Sequence, residues 1–339
     1  MARPGAAVST SARPATAPAV PLWIVSGAFW LTVAAVAVAR AAGVAESQVL
    51  GTFGVVFVSI VVEALPFILI GAVASALIAV FVPARAFARI GRLPRPLQVP
   101  AAAAAGFAMP VCECGSVPVA RRLILRGLNP QAGIAFMLAA PILNPIVLAS
   151  TWVAYGAAGS ALEMTVARAA LGLAVAVAAG WALGRSGSAD LLRPRPEDAA
   201  DERREGPRGE AFVEHVANDF LFMARFLVLG AAIAAALQTA LPQDLLSGVA
   251  GAPVIGALAL MGMAVVLSLC SEADAFVAVS FTAFPLGSQL AFLVLGPVVD
   301  AKLAALYGAT FRRRFVLRLL VIVVPIALAG ALVFDEVVG

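Results

Sequence analysis

The sequence predicts an all-α, polytopic helical membrane protein, arranged as two inverted repeats that each carry a re-entrant broken-helix hairpin. Three observations lead there. Hydrophobic residues fill 62% of the 339 positions and charged ones only 12%, with a mean hydropathy of +1.01. A soluble domain carries roughly 25% charged residues. The apolar runs reach the roughly twenty residues a helix needs to cross a bilayer, and they lack the alternation of barrel strands. Finally, two of the apolar stretches are interrupted by cysteines and carboxylates, which hydrocarbon tolerates only where protein or a water-filled cavity satisfies the broken backbone.

In chain order, residues 1–20 are rich in Ala, Pro, Ser and Thr and read as a disordered cytoplasmic tail. The first transmembrane half covers 21–184. It opens with Leu22 to Val38, longer than the core of a signal peptide and so an uncleaved span. A long tract from Gly51 to Val82 contains Glu63 and Pro66, which suggests tilt or a kink. Arg85, Arg89, Arg92 and Arg95 then crowd one short loop, a cytoplasmic mark. Residues 97–127 form the first hairpin: a short apolar entry, a break at Pro110-Val-Cys-Glu-Cys-Gly-Ser-Val-Pro118, and a return ending in Arg121, Arg122 and Arg126. Proline removes a backbone donor and glycine frees the backbone, so this stretch is built to interrupt a helix. Pro130 to Ala154 and Leu162 to Leu183 read as full spans.

Residues 185–211 shift to Arg, Asp, Glu, Pro and Gly, a flexible cytoplasmic linker between halves. The second half, 212–339, holds a span from Phe220 to Leu241 and a loop, Pro242 to Ala252, without a basic residue and hence external. Its hairpin, 253–285, breaks at Cys270-Ser-Glu-Ala-Asp274. Leu286 to Leu306 and Phe315 to Phe334 span again, with Arg312, Arg313 and Arg314 between them. That gives about seven spans plus two hairpins, a cytoplasmic N-terminus and an external C-terminus, in a plasma (inner) membrane.

The halves echo each other. One constant offset sets Gly71 on Gly230, Pro83 on Pro242 and Glu113 on Glu272; a slightly shorter one sets Pro141 on Pro297 and Asn144 on Asp300. The basic loops bring the first hairpin in from the cytoplasm and the second from outside. Inverted repeats of this kind place their site near mid-bilayer, where broken helices meet.

Several residues could carry chemistry there. Cys112 and Cys114 flank Glu113. Thiolates suit thiophilic metals and metalloids, and a neighbouring carboxylate can take a released proton; buried cysteine also serves as a small hydrophobe. With two thiolates a closed four-ligand zinc site is not expected. Glu272 and Asp274, with Cys270 beside them, lie in the second break, where an ionised carboxylate costs about 2.5–3.5 kcal/mol unless paired, protonated or hydrated. They fit a proton or ion path, and equally a cap on the second half-helix. Asp300 and Lys302 stand inside a later span, Lys302 being the chain's one lysine. Two apart on a helix, they do not share a face, so each seeks its own partner; structural charge balance and coupling fit them equally. Asn144, between Pro141 and Pro145, should line a polar cavity. Glu63, Arg168 and Arg225 read as structural pairs, and His215, the one histidine, as a satisfied interfacial residue.

The stretches Pro110 to Leu123, Phe136-Met-Leu-Ala-Ala-Pro-Ile-Leu-Asn-Pro-Ile-Val-Leu148 and Cys270-Ser-Glu-Ala-Asp-Ala-Phe-Val-Ala278 resemble the permease family that includes YraQ-type proteins and the organoarsenical efflux permease ArsP. The resemblance covers roughly residues 50–335. It implies a multi-span inner-membrane transporter and, for the ArsP branch, export of trivalent organoarsenicals through cysteine contacts. By position the cysteine motif falls on Cys112 and Cys114, the acidic motif on Cys270, Glu272 and Asp274. The Cys-Glu-Cys form is closer to the branch linked to metal homeostasis.

The expected function is therefore a secondary transporter or exporter of a soft metal or metalloid species. Cys112, Glu113, Cys114, Asn144, Cys270, Glu272 and Asp274 would contact substrate, and Glu113, Glu272, Asp274, Asp300 and Lys302 would couple it to protons or ions. Any metal contact falls to Cys112 and Cys114. No nucleotide-binding fingerprint occurs, so no cofactor is expected and energy comes from an ion gradient or a partner protein. The expected partners are the lipid bilayer, the small soft substrate and a soluble or membrane protein. Basic residues at the ends of apolar runs report orientation, which excludes nucleic acid. The rival readings are a membrane subunit of a larger transport assembly and a thiol-redox membrane enzyme.

Overall fold

A computed structural model describes residues 48–81, 94–109, 111–184, 191–194, 208–240, 253–312 and 314–338. The expected tail, the span from Leu22 to Val38, most of the linker and the loop from Pro242 to Ala252 lie outside them. The described residues are almost entirely helical, in the order α1 (Gln48–Phe81), α2 (Arg95–Ala105), a short 3-10 turn (Gly106–Ala108), α3 (Glu113–Leu125), α4 (Pro130–Leu143), α5 (Pro145–Gly156), α6 (Ala161–Leu183), α7 (Arg208–Ala240), α8 (Pro253–Leu267), α9 (Asp274–Ala278), α10 (Leu286–Leu295), α11 (Ala301–Thr310) and α12 (Arg314–Val338).

Among the described residues five stretches are long and apolar enough to cross a membrane: Leu50–Phe81, Pro130–Gly156, Ala161–Leu183, Gly209–Ala240 and Arg314–Val338. Their outer faces carry exposed Val55, Val58, Val62, Leu69, Leu317 and Val321. Apolar surface on that scale would drive a soluble protein to associate, and a bilayer supplies its natural cover. By contrast α4 is buried along almost its whole length, so it runs through the centre of the bundle.

The same order of elements appears twice: a long helix, a short helix into a break, a return helix, a helix in two pieces, and another long helix. The packing follows suit. α2 lies on α4 and α4 on α6, as α8 lies on α10 and α10 on α12; the two long openers α1 and α7 pack along each other. The pieces then cross between halves, α3 meeting α11 and α9 meeting α5.

Side-chain caps account for the breaks. Asn144 Oδ1 accepts from the Ile146 N–H at 3.0 Å and starts α5, while Asp300 Oδ1 accepts from the Leu303 N–H at 2.6 Å and starts α11. Asn and Asp are strong helix initiators for this reason. Pro145 and Pro297 lack the N–H that an uninterrupted helix would need. The stretch expected to span continuously from Leu286 to Leu306 is therefore two short helices separated by a turn. The second return is also shorter than the first: α9 has five residues where α3 has thirteen.

Two further differences have simple causes. α7 begins at Arg208, extending into the expected linker. Within that linker Leu191 and Leu192 are buried, and Leu192 bridges Phe311 in antiparallel fashion, with Arg193 N–H donating to Thr310 and Arg312 N–H to Leu191. Adjacent leucines gain more from the core than from water.

Gly71 and Gly230, matched by the internal offset, do parallel work. A Cβ on Gly71 would collide with the Gly115 backbone in α3, and one on Gly230 with the Lys302 backbone in α11. Each long opener thus presses directly on a helix that carries a site residue. Gly71→Val is expected to cost about 1–3 kcal/mol through overpacking, read as a lower unfolding midpoint in detergent. Gly51→Val, where nothing lies within 4 Å, should stay within about 0.5 kcal/mol of the parent. Equal midpoints for the two variants would refute the close α1–α3 contact.

Candidate functional site

The two breaks come together. Cys112 precedes α3 with an extended backbone (φ −72°, ψ 175°), and Glu113 opens the helix. Ser116 Oγ donates back to the Glu113 carbonyl at 2.9 Å, bracing that first turn. The Glu113 carboxylate then reaches across to the second half. Its Oε2 accepts from Ser271 Oγ at 3.0 Å, and its Oε1 lies 2.8 Å from Lys302 Nζ. Both members of that ion pair are almost fully shielded, at 1% side-chain exposure each.

Lys302 gathers more partners. Nζ donates to the Leu269 carbonyl at 3.2 Å, sits 3.8 Å from Cys270 Sγ and 3.5 Å from Asp300 Oδ2. Asp300 stands outside the helix as its cap, with φ −138°, so the expectation that it and Lys302 face apart does not apply. The free Leu269 carbonyl is a product of the break itself. Ser268 takes φ +48°, a left-handed conformation that costs a serine on the order of 1–2 kcal/mol. Its hydroxyl compensates in part, donating to Val265 O at 2.9 Å and accepting from Ala301 N–H at 3.2 Å, so one residue turns the second break and ties it to α11. Strain of this sort collects where a chain must hold an unusual geometry.

The acidic residues of the second break separate into two kinds. Asp274 is locked in a two-pronged ion pair with Arg168, Nη1 to Oδ1 at 2.9 Å and Nη2 to Oδ2 at 2.7 Å, and Nη1 also donates to Thr151 Oγ1 at 2.8 Å. Paired forks are the strongest arrangement available to these groups. Glu272 is the opposite: both carboxylate oxygens are buried and neither meets a hydrogen-bond partner. A carboxylate so placed holds latent binding capacity.

All three cysteines are buried free thiols. Cys112 and Cys114 lie on either side of Glu113 in the chain, and Cys270 Sγ lies 3.8 Å from the Lys302 ammonium. A void with room for about one water molecule lies between Cys114 and Lys302 and is closed by Ile68, Met223, Leu227 and Leu306. Among the described residues no three His, Cys, Asp or Glu side chains are arranged to hold a metal ion. Asn144 is buried as the α5 cap, its Oδ1 accepting from the Ile146 N–H, and among the described residues it makes no hydrogen bond to the groups above.

The three charges expected to be structural pairs behave differently. Arg168 is paired, with Asp274. Arg225 instead lies over the Phe222 and Phe226 rings, 4.5 and 5.2 Å from their centroids, a cation–π contact. Glu63 is exposed on α1 and makes no ion pair among the described residues. His215 Nδ1 lies 2.7 Å from the Ala211 carbonyl, one turn back, and the ring is buried.

Sequence reasoning passed over Ser271 and Ser268. Ser271 sits inside a quoted motif, between Cys270 and Glu272, where a hydroxyl among thiol and carboxylates is a usable signal. Ser268 carries none, since nothing in its neighbours announces a left-handed backbone.

Known proteins match this chain along most of its length. Residues 49–336 match the family ArsP_1, described as predicted permease. The chain is 42% identical over 281 residues to the UPF0718 protein YcgR of Bacillus subtilis, covering 82% of this chain and 95% of that one. It is 32% identical over 274 residues to a Streptococcus mutans protein named "Putative two-component membrane permease complex subunit", covering 78% and 88%. No solved structure matches it. With helices able to cross a membrane, and a family profile and relatives that span the same residues, the chain is a membrane protein that belongs to the ArsP_1 family of predicted permeases.

Proposed function

We propose that this chain is an inner-membrane secondary transporter or exporter of a soft metal or metalloid species, driven by an ion gradient. The observation that carries the reading is the meeting of the two breaks: Ser271 bonded to Glu113, Glu113 paired with Lys302, Cys270 Sγ 3.8 Å from Lys302, and the buried free thiols of Cys112 and Cys114 flanking Glu113 in the chain. Soft sulfur donors select soft cations and metalloids, and a broken backbone supplies carbonyls at bilayer depth. The recurring element order supports two halves of inverted topology, rocking about this shared centre. The basic loops support a cytoplasmic N-terminus and an external C-terminus. Glu272, buried and unpartnered, is the group best placed to carry the coupling proton.

Proteoliposomes test this directly. Purified chain should move Ag(I) or a trivalent methylarsenical across the bilayer, and Cys112→Ser or Cys114→Ser should lower the rate at least about tenfold, a loss on the order of 1.4 kcal/mol of transition-state binding. Undiminished transport would reduce the thiols to packing. Glu272→Gln should keep the protein in the membrane and abolish acceleration by a pH gradient; full acceleration in that variant would assign the proton elsewhere.

A second reading has its own support. The Streptococcus mutans relative is named as a subunit of a two-component complex, so this chain could act with a second membrane protein. Transport by the chain alone decides for the first reading, and transport that appears only on adding a co-expressed partner decides for the second.

A further inference from the structure

Arginines gather where the linker meets the head of α12. Leu192 bridges Phe311, Arg193 N–H donates to the Thr310 carbonyl at 2.9 Å, and Arg312 N–H donates to the Leu191 carbonyl at 3.1 Å. The backbone thus sets Arg193 beside residues 310–312. α12 opens two residues later with Arg314 and carries Arg318 one turn on. Arg312, Arg314 and Arg318 are exposed, and Arg193 is half-buried. Among the described residues neither Arg314 nor Arg318 forms an ion pair. Helix stability does not explain this placement, because the first turn of a helix favours acidic side chains and like charges one turn apart repel each other.

The same face turns apolar at once. Arg314, Leu317, Arg318 and Val321 follow the i, i+3, i+4, i+7 spacing of one helix face, and Leu317 and Val321 are 67% and 74% exposed. α12 is 25 residues long and spans the membrane, so the arginines at its head sit at the level of lipid headgroups and the strip beyond them faces acyl chains. The stem of Arg318 can lie along that strip while its guanidinium rises to the headgroups. We propose that this face binds one anionic phospholipid, its phosphate between Arg314 and Arg318, Arg193 and Arg312 at its flank, and an acyl chain along Leu317 and Val321. A guanidinium presents paired N–H donors that match two phosphate oxygens. A zwitterionic lipid brings the same phosphate with its own cation, so the net charge of the headgroup decides between lipids. Free phosphate would meet the arginines and leave the apolar strip bare. The inference goes beyond transport and stands whichever species the chain moves.

Native mass spectrometry of the full chain, delipidated in detergent and titrated with dioleoyl phosphatidylglycerol or dioleoyl phosphatidylcholine, counts the lipids retained. The parent should hold one phosphatidylglycerol at least about tenfold more tightly than phosphatidylcholine, and Arg314→Gln with Arg318→Gln should bring the two lipids within about twofold of each other. Arg85→Gln with Arg89→Gln removes the same charge from another arginine-rich stretch and should leave the preference intact. Equal loss in both double variants would make the attraction a general one and overturn the site, as would a preference that survives without Arg314 and Arg318. Leu317→Ser keeps every arginine and should weaken phosphatidylglycerol binding at least about threefold; unchanged binding would remove the acyl contact and with it the lipid assignment. Glycerol 1-phosphate in excess should fail to displace the lipid, and displacement would assign the arginines to a free phosphate instead.

Discussion

Arg168→Met is expected to destabilise the protein by about 3–5 kcal/mol, the cost of stranding a buried charge. Arg168 has no exposed surface and gives two parallel bonds to Asp274, itself 4% exposed in its side chain. Methionine fills much of the same volume but leaves the Asp274 carboxylate with neither water nor countercharge. Asp274→Asn strands the permanently charged guanidinium in turn and should cost a similar amount, although an amide oxygen can still accept from Nη1 and Thr151 remains a partner. The double variant, Arg168→Met with Asp274→Asn, removes the stranded charge and should recover part of the loss, since contacting residues are not additive. Denaturant unfolding in detergent, followed by tryptophan fluorescence, measures all three. An Arg168→Met chain within about 1 kcal/mol of the parent would mean that water reaches Asp274 and that the pair does not hold α9 in place.

The functional stake in that pair is positional. Arg168 stands on α6, in the first half, and Asp274 begins α9, directly after the residues that meet Glu113. Nη2 also lies 3.4 Å from the Ser271 carbonyl. Releasing α9 would therefore loosen Ser271 from Glu113 without touching either, so transport should fall alongside stability. A variant that keeps stability and loses transport would instead give Arg168 a direct part in substrate passage.

How much of this was legible beforehand differs residue by residue. Both breaks could be read from the sequence, since prolines and glycines with charges in an apolar run have no other stable home in hydrocarbon. Asn144 and Asp300, which one sequence offset sets in register, each serve as the initiating cap of a half-helix. The reason Asp300 was placed on a helix face is equally plain. A period of 3.6 residues was assumed through a position whose backbone is extended. Partners across the halves were out of reach, because Arg168 meets Asp274 and Glu113 meets Lys302 through tertiary packing that local pattern does not encode. The same holds for the Leu192–Phe311 bridge, where a composition suited to disorder hid two leucines with a core to join. Roles in transport stand one step further off, since the same geometry holds a fold together whether or not anything passes through it.

The Glu113–Lys302 pair gives the second large effect, and it is asymmetric. Lys302→Met is expected to cost about 3–5 kcal/mol, because it leaves Glu113 Oε1 and Asp300 Oδ2 facing each other's charge with no cation between. Glu113→Gln should cost less, about 1–3 kcal/mol. Lys302 would retain Asp300 and the Leu269 carbonyl, and glutamine could still accept from Ser271. In the double variant Asp300 keeps its bond from the Leu303 N–H and faces no second buried carboxylate. It should therefore be more stable than Lys302→Met alone, with a coupling of at least about 1 kcal/mol. The ordering matters more than the sizes. If Glu113→Gln proves the more damaging change, Asp300 and the Leu269 carbonyl do not sustain Lys302 once Glu113 is neutral, and Glu113 is the lysine's sole effective counter-ion.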